Sequence, residues 1–345
     1  MNNVAKVLVV DDSAYVRKVV TQMLSRSPFL EVVATARDGR EALELAEDVQ
    51  PDVITCDLNM PEMDGVEFVH AQMARRPVPI VIISVVNGAG EQVLAALDAG
   101  AIDFLQKPTA LASDRLFDVS DELVEKVKAA ASSPMNRARR IQPASSPLAV
   151  PARNTRGDID VVVVGVSTGG PQALKVVMPQ LPSNLPVPVA IVLHMPPGFT
   201  ELYAAKLAQV SALKVKEAAE GDEVEPGLVL LAPAGRHLTF RRDRSRVACH
   251  LDLRPLDTLH RPSVDVLFQS AADAYGGRTL GVVMTGMGSD GREGAAWIKA
   301  RGGRILTESE ESCVVYGMPR SVVDAGLSDA AVPLDGMAEA ILRQL

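Results

Sequence analysis

Near the N-terminus, five polar side chains have the types and spacing to handle a phosphoryl group. Asp11 and Asp12 follow one short apolar run, Asp57 closes another, Ser84 closes a third, and Lys107 follows a fourth. If these runs are parallel strands, all five residues stand at strand carboxyl ends, where an open parallel sheet forms its ligand crevice. Three carboxylates gathered there repel one another, and a hard divalent cation with oxygen ligands, Mg²⁺, is the natural compensator. A carboxylate beside such an ion is a competent nucleophile toward phosphorus, and the Lys107 ammonium would neutralise charge building on the equatorial oxygens. Any one aspartate is more simply a turn residue or a helix N-cap. That account does not cover the whole spaced set.

A second constellation could attack a carbonyl. Residues 161–171, ValValValValGlyValSerThrGlyGlyPro, read as a buried strand, a tight glycine turn and a proline at a helix start. Ser167 in that turn meets a Gly-x-Ser-x-Gly pattern with Gly165 and Gly169, and helix N–H groups would point at whatever it attacks. Taken alone, the same turn could be a phosphate-binding glycine loop. Its companions favour chemistry: His194 ends the run ValAlaIleValLeuHis, and Asp290 lies in MetThrGlyMetGlySerAspGly, after a further run. Three strand ends on one sheet edge can assemble Ser167, His194 and Asp290 into nucleophile, base and orienting acid. The glycine-rich stretch 285–291 and the turn after Ser167 would offer N–H donors to a developing oxyanion. His70, His237, His250 and His260 lack metal-ligand spacing and read as structural, with no zinc expected. The chain order Ser, His, Asp differs from the Ser, Asp, His order of α/β-hydrolases.

The elements that must position these groups are legible in the hydropathy pattern. Apolar runs at 6–10, 32–34, 53–55, 80–83 and 102–105 alternate with amphipathic stretches. One of these, 14–24, puts Val16, Val19, Val20, Met23 and Leu24 on one face. Five β-then-α units predict a parallel sheet covered on both faces. The pattern recurs further on, with strands predicted near 160–164, 189–193, 229–231 and 281–284 and helices starting near Pro171, Thr200, Val264 and Gly291. The expected fold class is α/β, with two doubly wound parallel-sheet domains at 1–130 and 157–345. Residues 131–156 carry five arginines and no acid, are rich in Pro, Ser and Ala, and show no apolar period. They read as a flexible linker. Cys56 adjoins Asp57, but strand alternation turns it to the other side, into the core.

Composition excludes several functions. The 345 residues are 47% hydrophobic but only 3% aromatic, so aliphatic side chains fill the cores and stacking platforms for single-stranded nucleic acid are not expected. A net charge of −8, with −9 in residues 1–130 and −4 in 157–345, argues against coating DNA or an anionic membrane. Three cysteines without CxxC spacing, no positive-then-apolar leader and no membrane-length apolar run point to the cytoplasm.

The words themselves carry resemblances. ValValAspAspSer, AspLeuAsnMetProGluMetAspGly, Ser84 and AspPheLeuGlnLysPro resemble a response-regulator receiver domain across nearly all of 1–130. This resemblance implies a flavodoxin-like fold in which Asp57 accepts a phosphoryl group from a histidine kinase of the CheA type. It implies that Asp12, Asp57 and the backbone carbonyl of Asn59 hold Mg²⁺, with Asp11 in support. Ser84 and Lys107 would grip the phosphoryl oxygens, and Phe104 would rotate when the switch flips. GlyValSerThrGlyGlyPro, HisMetProProGlyPheThr, ArgProSerValAspValLeuPhe, MetThrGlyMetGlySerAspGly and ValTyrGlyMetPro resemble the chemotaxis protein-glutamate methylesterases, the CheB family, over almost all of 157–345. That resemblance implies hydrolysis of glutamyl methyl esters, and deamidation of certain glutamines, on the cytoplasmic helices of chemoreceptors. Thr168 and the backbone amide of Met287 would help form the site. The competing expectation is a phosphorylation-controlled binding module whose glycine loops recognise an anionic partner without turnover.

Overall fold

A computed structural model of the chain describes residues 4–84, 90–107, 115–133, 148, 158–244 and 246–345. The chain divides into two compact units, Met1–Asn136 and Arg137–Leu345. Most of the segment read as a linker, and Pro108, lie outside the described residues. No helix among those residues is long and apolar enough to cross a membrane.

The first unit alternates β1 (Ala5–Val10), α1 (Ala14–Leu24), β2 (Leu30–Ala36), α2 (Gly39–Val49), β3 (Val53–Cys56), α3 (Gly65–Arg75), β4 (Ile80–Ser84), α4 (Gly90–Ala99), β5 (Asp103–Gln106) and α5 (Arg115–Ala131). All five strands are parallel, in the flavodoxin-like order β2-β1-β3-β4-β5. β3 and β4 are buried at every residue, because helices cover both sheet faces. Val7, Val9, Val53, Val81 and Ile83 of the sheet pack with Val20, Met23 and Leu24 of α1 and with Leu123 and Val127 of α5. The Ser13 hydroxyl caps α1 by accepting the Val16 N–H, and Asp64 with Glu67 forms a capping box at α3. Strand order reverses at β1 and β3, so the crevice opens where Asp11, Asp12 and Asp57 emerge.

The second unit runs β6 (Val161–Val166), α6 (Gly170–Val177), β7 (Val189–Leu193), α7 (Thr200–Val210), β8 (Lys214–Glu217), β9 (Leu228–Leu231), β10 (His237–Asp243), β11 (Arg246–Asp252), α8 (Val264–Tyr275), β12 (Thr279–Val283), α9 (Arg292–Ala300), β13 (Arg304–Glu308), α10 (Met318–Asp324), β14 (Ala330–Val332) and α11 (Met337–Gln344). Seven strands form one parallel sheet ordered β14-β13-β12-β6-β7-β9-β8, while β10 and β11 pair antiparallel as a separate hairpin. The four strands expected from sequence are the middle of this sheet. β8 and β13 have no apolar run longer than two residues, β14 is only three residues long and largely exposed, and the hairpin has an arginine-rich tip, so their patterns resemble loops. Leu238, Phe240, Val247 and Cys249 of the hairpin nevertheless pack with Phe268, Ala271 and Ala272 of α8. Here order reverses at β6, between β12 and β7.

Candidate functional site

At that second switch point, three adjacent strands deliver the three residues expected of a triad. Ser167 follows β6 and is partly exposed on the turn into α6; its N–H donates to the Thr285 carbonyl at 3.0 Å, and its carbonyl accepts the Gly170 N–H at 2.7 Å. Gly169 takes φ +78°, which lets the chain turn from strand to helix within so few residues. His194 follows β7, with its N–H on the Val166 carbonyl at 3.2 Å. Asp290 sits in the loop after β12, whose Gly286 lies so close to the nucleophile that a Cβ there would come 2.9 Å from Ser167 Cβ. Thr168 is buried, and its carbonyl accepts the Thr285 hydroxyl at 2.9 Å. The Met287 amide has no acceptor among the described residues, which leaves it available to a bound oxyanion.

His194 Nε2 lies 2.8 Å from Asp290 Oδ2, and His194 Nδ1 is buried without a partner among the described residues. Asp290 also accepts the Ser263 hydroxyl at 2.9 Å and the N–H groups of Val264 and Asp265 at 2.8 and 2.9 Å. The carboxylate therefore closes the N-terminus of α8, where free amides and the helix dipole favour negative charge. Burial alone would push its pKa up; His194 and the Asp265 and Val264 amides outweigh that and hold it well below the usual range. An ionised Asp290 can only accept, so Nε2 carries the imidazole proton and Nδ1 keeps its lone pair. Asp265 returns the arrangement, accepting Gly291 and Gly294 N–H groups at 2.9 and 2.7 Å at the start of α9. Its burial and the nearby Asp290 charge raise its pKa to about 6 against those hydrogen bonds.

The first unit gathers its charges differently. Asp11, Asp12 and Asp57 each offer a carboxylate oxygen within 4.8 Å of the others. Lys107 Nζ reaches Asp11 at 2.6 Å and Asp57 at 2.7 Å. Burial raises the Asp11 pKa despite the lysine, while the two carboxylates outweigh burial to raise that of Lys107. One ammonium thus faces three acids, and an all-oxygen donor set with excess negative charge suits a hard divalent cation. Asp12, Asp57, Asn59 and Lys107 line a cavity of about 390 Å³ together with apolar side chains of α1 and α5. Ser84 Oγ is buried and unpartnered among the described residues, and the Ser84 carbonyl accepts the Lys107 N–H at 2.8 Å. Phe104 and Cys56 are buried.

Comparison with known proteins bears on both units. A family model described as CheB methylesterase matches residues 162–341, and one described as response regulator receiver domain matches 7–118. The chain belongs to the CheB methylesterase family. A Myxococcus xanthus relative of this family, named protein-glutamate methylesterase/protein-glutamine glutaminase 5, is 49% identical over 98% of this chain and 97% of its own length. A Halalkalibacterium halodurans relative, named protein-glutamate methylesterase/protein-glutamine glutaminase, is 43% identical over 100% of this chain and 99% of its own. The crystal structure of the Thermotoga maritima CheB methylesterase catalytic domain is 42% identical, with TM-score 0.53, over 54% of this chain and 99% of that one.

In this CheB-family chain, the residues singled out from sequence fall into two clusters at two sheet edges, while Ser263, Asp265 and Glu308 carry no assignment from sequence and His260 reads there as structural only. Ser263 and Asp265 lie in ArgProSerValAspVal, which reads as a helix start and says nothing about a carboxylate 25 or more residues away. His260 stacks on the His194 ring at 4.0 Å between centroids. Glu308 ends β13 fully buried, accepting the Thr285 N–H at 2.8 Å and the Ser312 hydroxyl at 2.9 Å. Burial raises its pKa to about 7. The one signal available for it was a glutamate closing a short run, TESEE, that looks like a solvated acidic loop.

Proposed function

We propose that this chain removes methyl esters from glutamyl side chains, and deamidates glutamines, on the cytoplasmic helices of chemoreceptors, with its rate set by phosphorylation of Asp57. The observation that carries the esterase reading is the pairing of His194 with Asp290, which leaves Nδ1 bare and buried, on a residue whose N–H bonds the carbonyl of Val166, just before the partly exposed Ser167. Ser167 Oγ attacks the ester carbonyl as its proton passes to Nδ1. Charge on the carbonyl oxygen is met by the Met287 amide, with Thr168 supporting the turn. The imidazolium then gives its proton to the departing methoxide, releasing methanol and leaving an acyl-serine. Water, deprotonated by His194, attacks that ester; the glutamate carboxylate leaves and Ser167 regains its proton. A glutamine follows the same course with ammonia as leaving group.

In the receiver, Asp57 takes the phosphoryl group from a histidine kinase of the CheA type, working in the cytoplasm. Mg²⁺, held by Asp12, Asp57 and the Asn59 carbonyl with Asp11 in support, would neutralise charge on the transferring group. Lys107 and Ser84 are the groups that receive phosphoryl oxygens, and Phe104 the side chain that responds. Methanol release from methylated receptor, with and without a small phosphodonor, tests the whole reading. A chain that binds receptor, releases no methanol and leaves Ser167 unlabelled by a fluorophosphonate would be a binding module instead.

A further inference from the structure

His237 opens β10 with 0% of its surface exposed, yet takes no part in the reaction just described. Its Nδ1 lies 3.2 Å from the Ser263 nitrogen. Its Nε2 lies 3.2 Å from the Pro255 carbonyl and from Thr258 Oγ1, with Arg261 Nε at 3.4 Å. The Ser263 amide can only donate to Nδ1, and although the Arg261 Nε–H is directed at Nε2 from 3.4 Å, the shorter contact of Nε2 with the Pro255 carbonyl needs a ring proton; Nδ1 is therefore bare and the proton sits on Nε2. The neutral ring ties together the two ends of segment 255–263. That segment bears on both members of the base pair. Ser263 donates its N–H to His237 and its O–H to Asp290, while His260 stacks on His194.

We infer that His237 is a positioning residue for the esterase site, holding Ser263, and through it Asp290 and His194, in place only while its ring is neutral. This rests on the esterase reading above. A proton on Nδ1 would set N–H against N–H, release the Ser263 amide and loosen the contacts that orient Asp290. The charged groups facing the ring are Arg261 from segment 255–263, Asp252 from β11 and Asp290 from the loop before α9. Burial disfavours the imidazolium and Arg261 adds to this. The Pro255 carbonyl, Asp290 and Asp252 oppose them, and the balance lies below the ordinary histidine value.

The test is kcat and KM for methanol release by the full chain from about pH 5 to about pH 9, for wild type, His237→Asn and His237→Leu. Asparagine keeps an acceptor oxygen near the Nδ1 position and does not titrate; leucine removes the acceptor. We expect His237→Leu to lose about tenfold or more in kcat near neutral pH with KM little changed, and His237→Asn to stay within about threefold. The acid limb of wild-type kcat/KM should become steeper than one proton, whereas that of His237→Asn should follow a single proton. If His237→Leu fails to fold, the His237→Asn profile alone decides, since simple damage would lower activity at every pH without removing a proton. Identical acid limbs for wild type and His237→Asn, or wild-type kcat in folded His237→Leu, overturn the inference. A wild-type chain that releases no methanol overturns the esterase reading instead.

Discussion

The receiver pocket and the esterase pocket occupy the same address, the carboxyl edge of a parallel sheet at its switch point, but they treat charge in opposite ways. In the receiver, two of three clustered carboxylates share one ammonium, and burial pushes Asp11 up because nothing nearby fully offsets it. In the esterase unit, a single carboxylate has four donors, two of them free amides at a helix start, and its pKa is held down. The first is left with an excess of negative charge, which the proposed divalent cation would offset. The second is balanced by fixed dipoles before any substrate arrives. Preorganised dipoles need no rearrangement as charge develops, which suits repeated turnover. An unbalanced acidic cluster is sensitive to what binds it, which suits a switch.

The largest effect that could break this comparison is at the nucleophile. Ser167→Ala should lower methanol release by about a thousandfold or more with the fold unchanged, because no other group in the site can form the acyl intermediate. Turnover near the wild-type rate would remove the triad reading.

Next, Asp57→Asn should abolish phosphoryl incorporation and the response to phosphodonor, while basal methanol release stays within about twofold. A metal chelator should act as that substitution does, silencing the receiver and sparing basal esterase activity. Radiolabel retained on Asp57→Asn would move the acceptor to Asp11 or Asp12.

Asp290→Asn probes the dipole balance itself. The new amide must place N–H against the His194 Nε2–H and the Val264 N–H or, flipped, against the Asp265 N–H, so kcat should fall more than about tenfold, yet less than for Ser167→Ala. Stability should fall as well. The depressed Asp290 pKa means that its contribution is present above the ordinary aspartate range and lost as pH falls through the folded value. The wild-type advantage in chemical denaturation should therefore shrink in strong acid.

The smallest expected effect concerns Glu308, a carboxyl buried without the balancing charge Asp290 enjoys. Its folded pKa of about 7 exceeds the ordinary 4.5, so wild-type stability is full below about 4.5 and declines as pH rises toward 7. Glu308→Gln keeps an acceptor for the Thr285 N–H and removes this penalty, so the variant should be more stable near pH 8 by roughly 1–3 kcal/mol. The gain should vanish in acid. An equal gain at every pH would mean that ionisation is not its cause.

Much of this was legible in the chain. Apolar runs of four to six residues ending in Asp11, Asp57, Ser167 and His194 announced parallel strands with polar groups at one end, and periodicity placed α1 at its observed bounds. Shorter, more polar strands escaped. β13 is buried from Ile305 to Glu308, but its burial comes from β12 on one side and β14 on the other, not from its own composition.

The sequence by itself determined which residues end up at the reactive edges, because burial periodicity is a local property and strand ends follow from it. Only the tertiary structure decided how those residues are charged and held. Asp290 is bonded to amides 25 and 26 positions away, Thr285 to a carboxyl 23 positions on, and His237 to Ser263 across 26. Those partners meet through strand order and helix packing. Hydrogen bonds depend on direction and distance to within tenths of an ångström, which no pattern of residue types along a chain specifies.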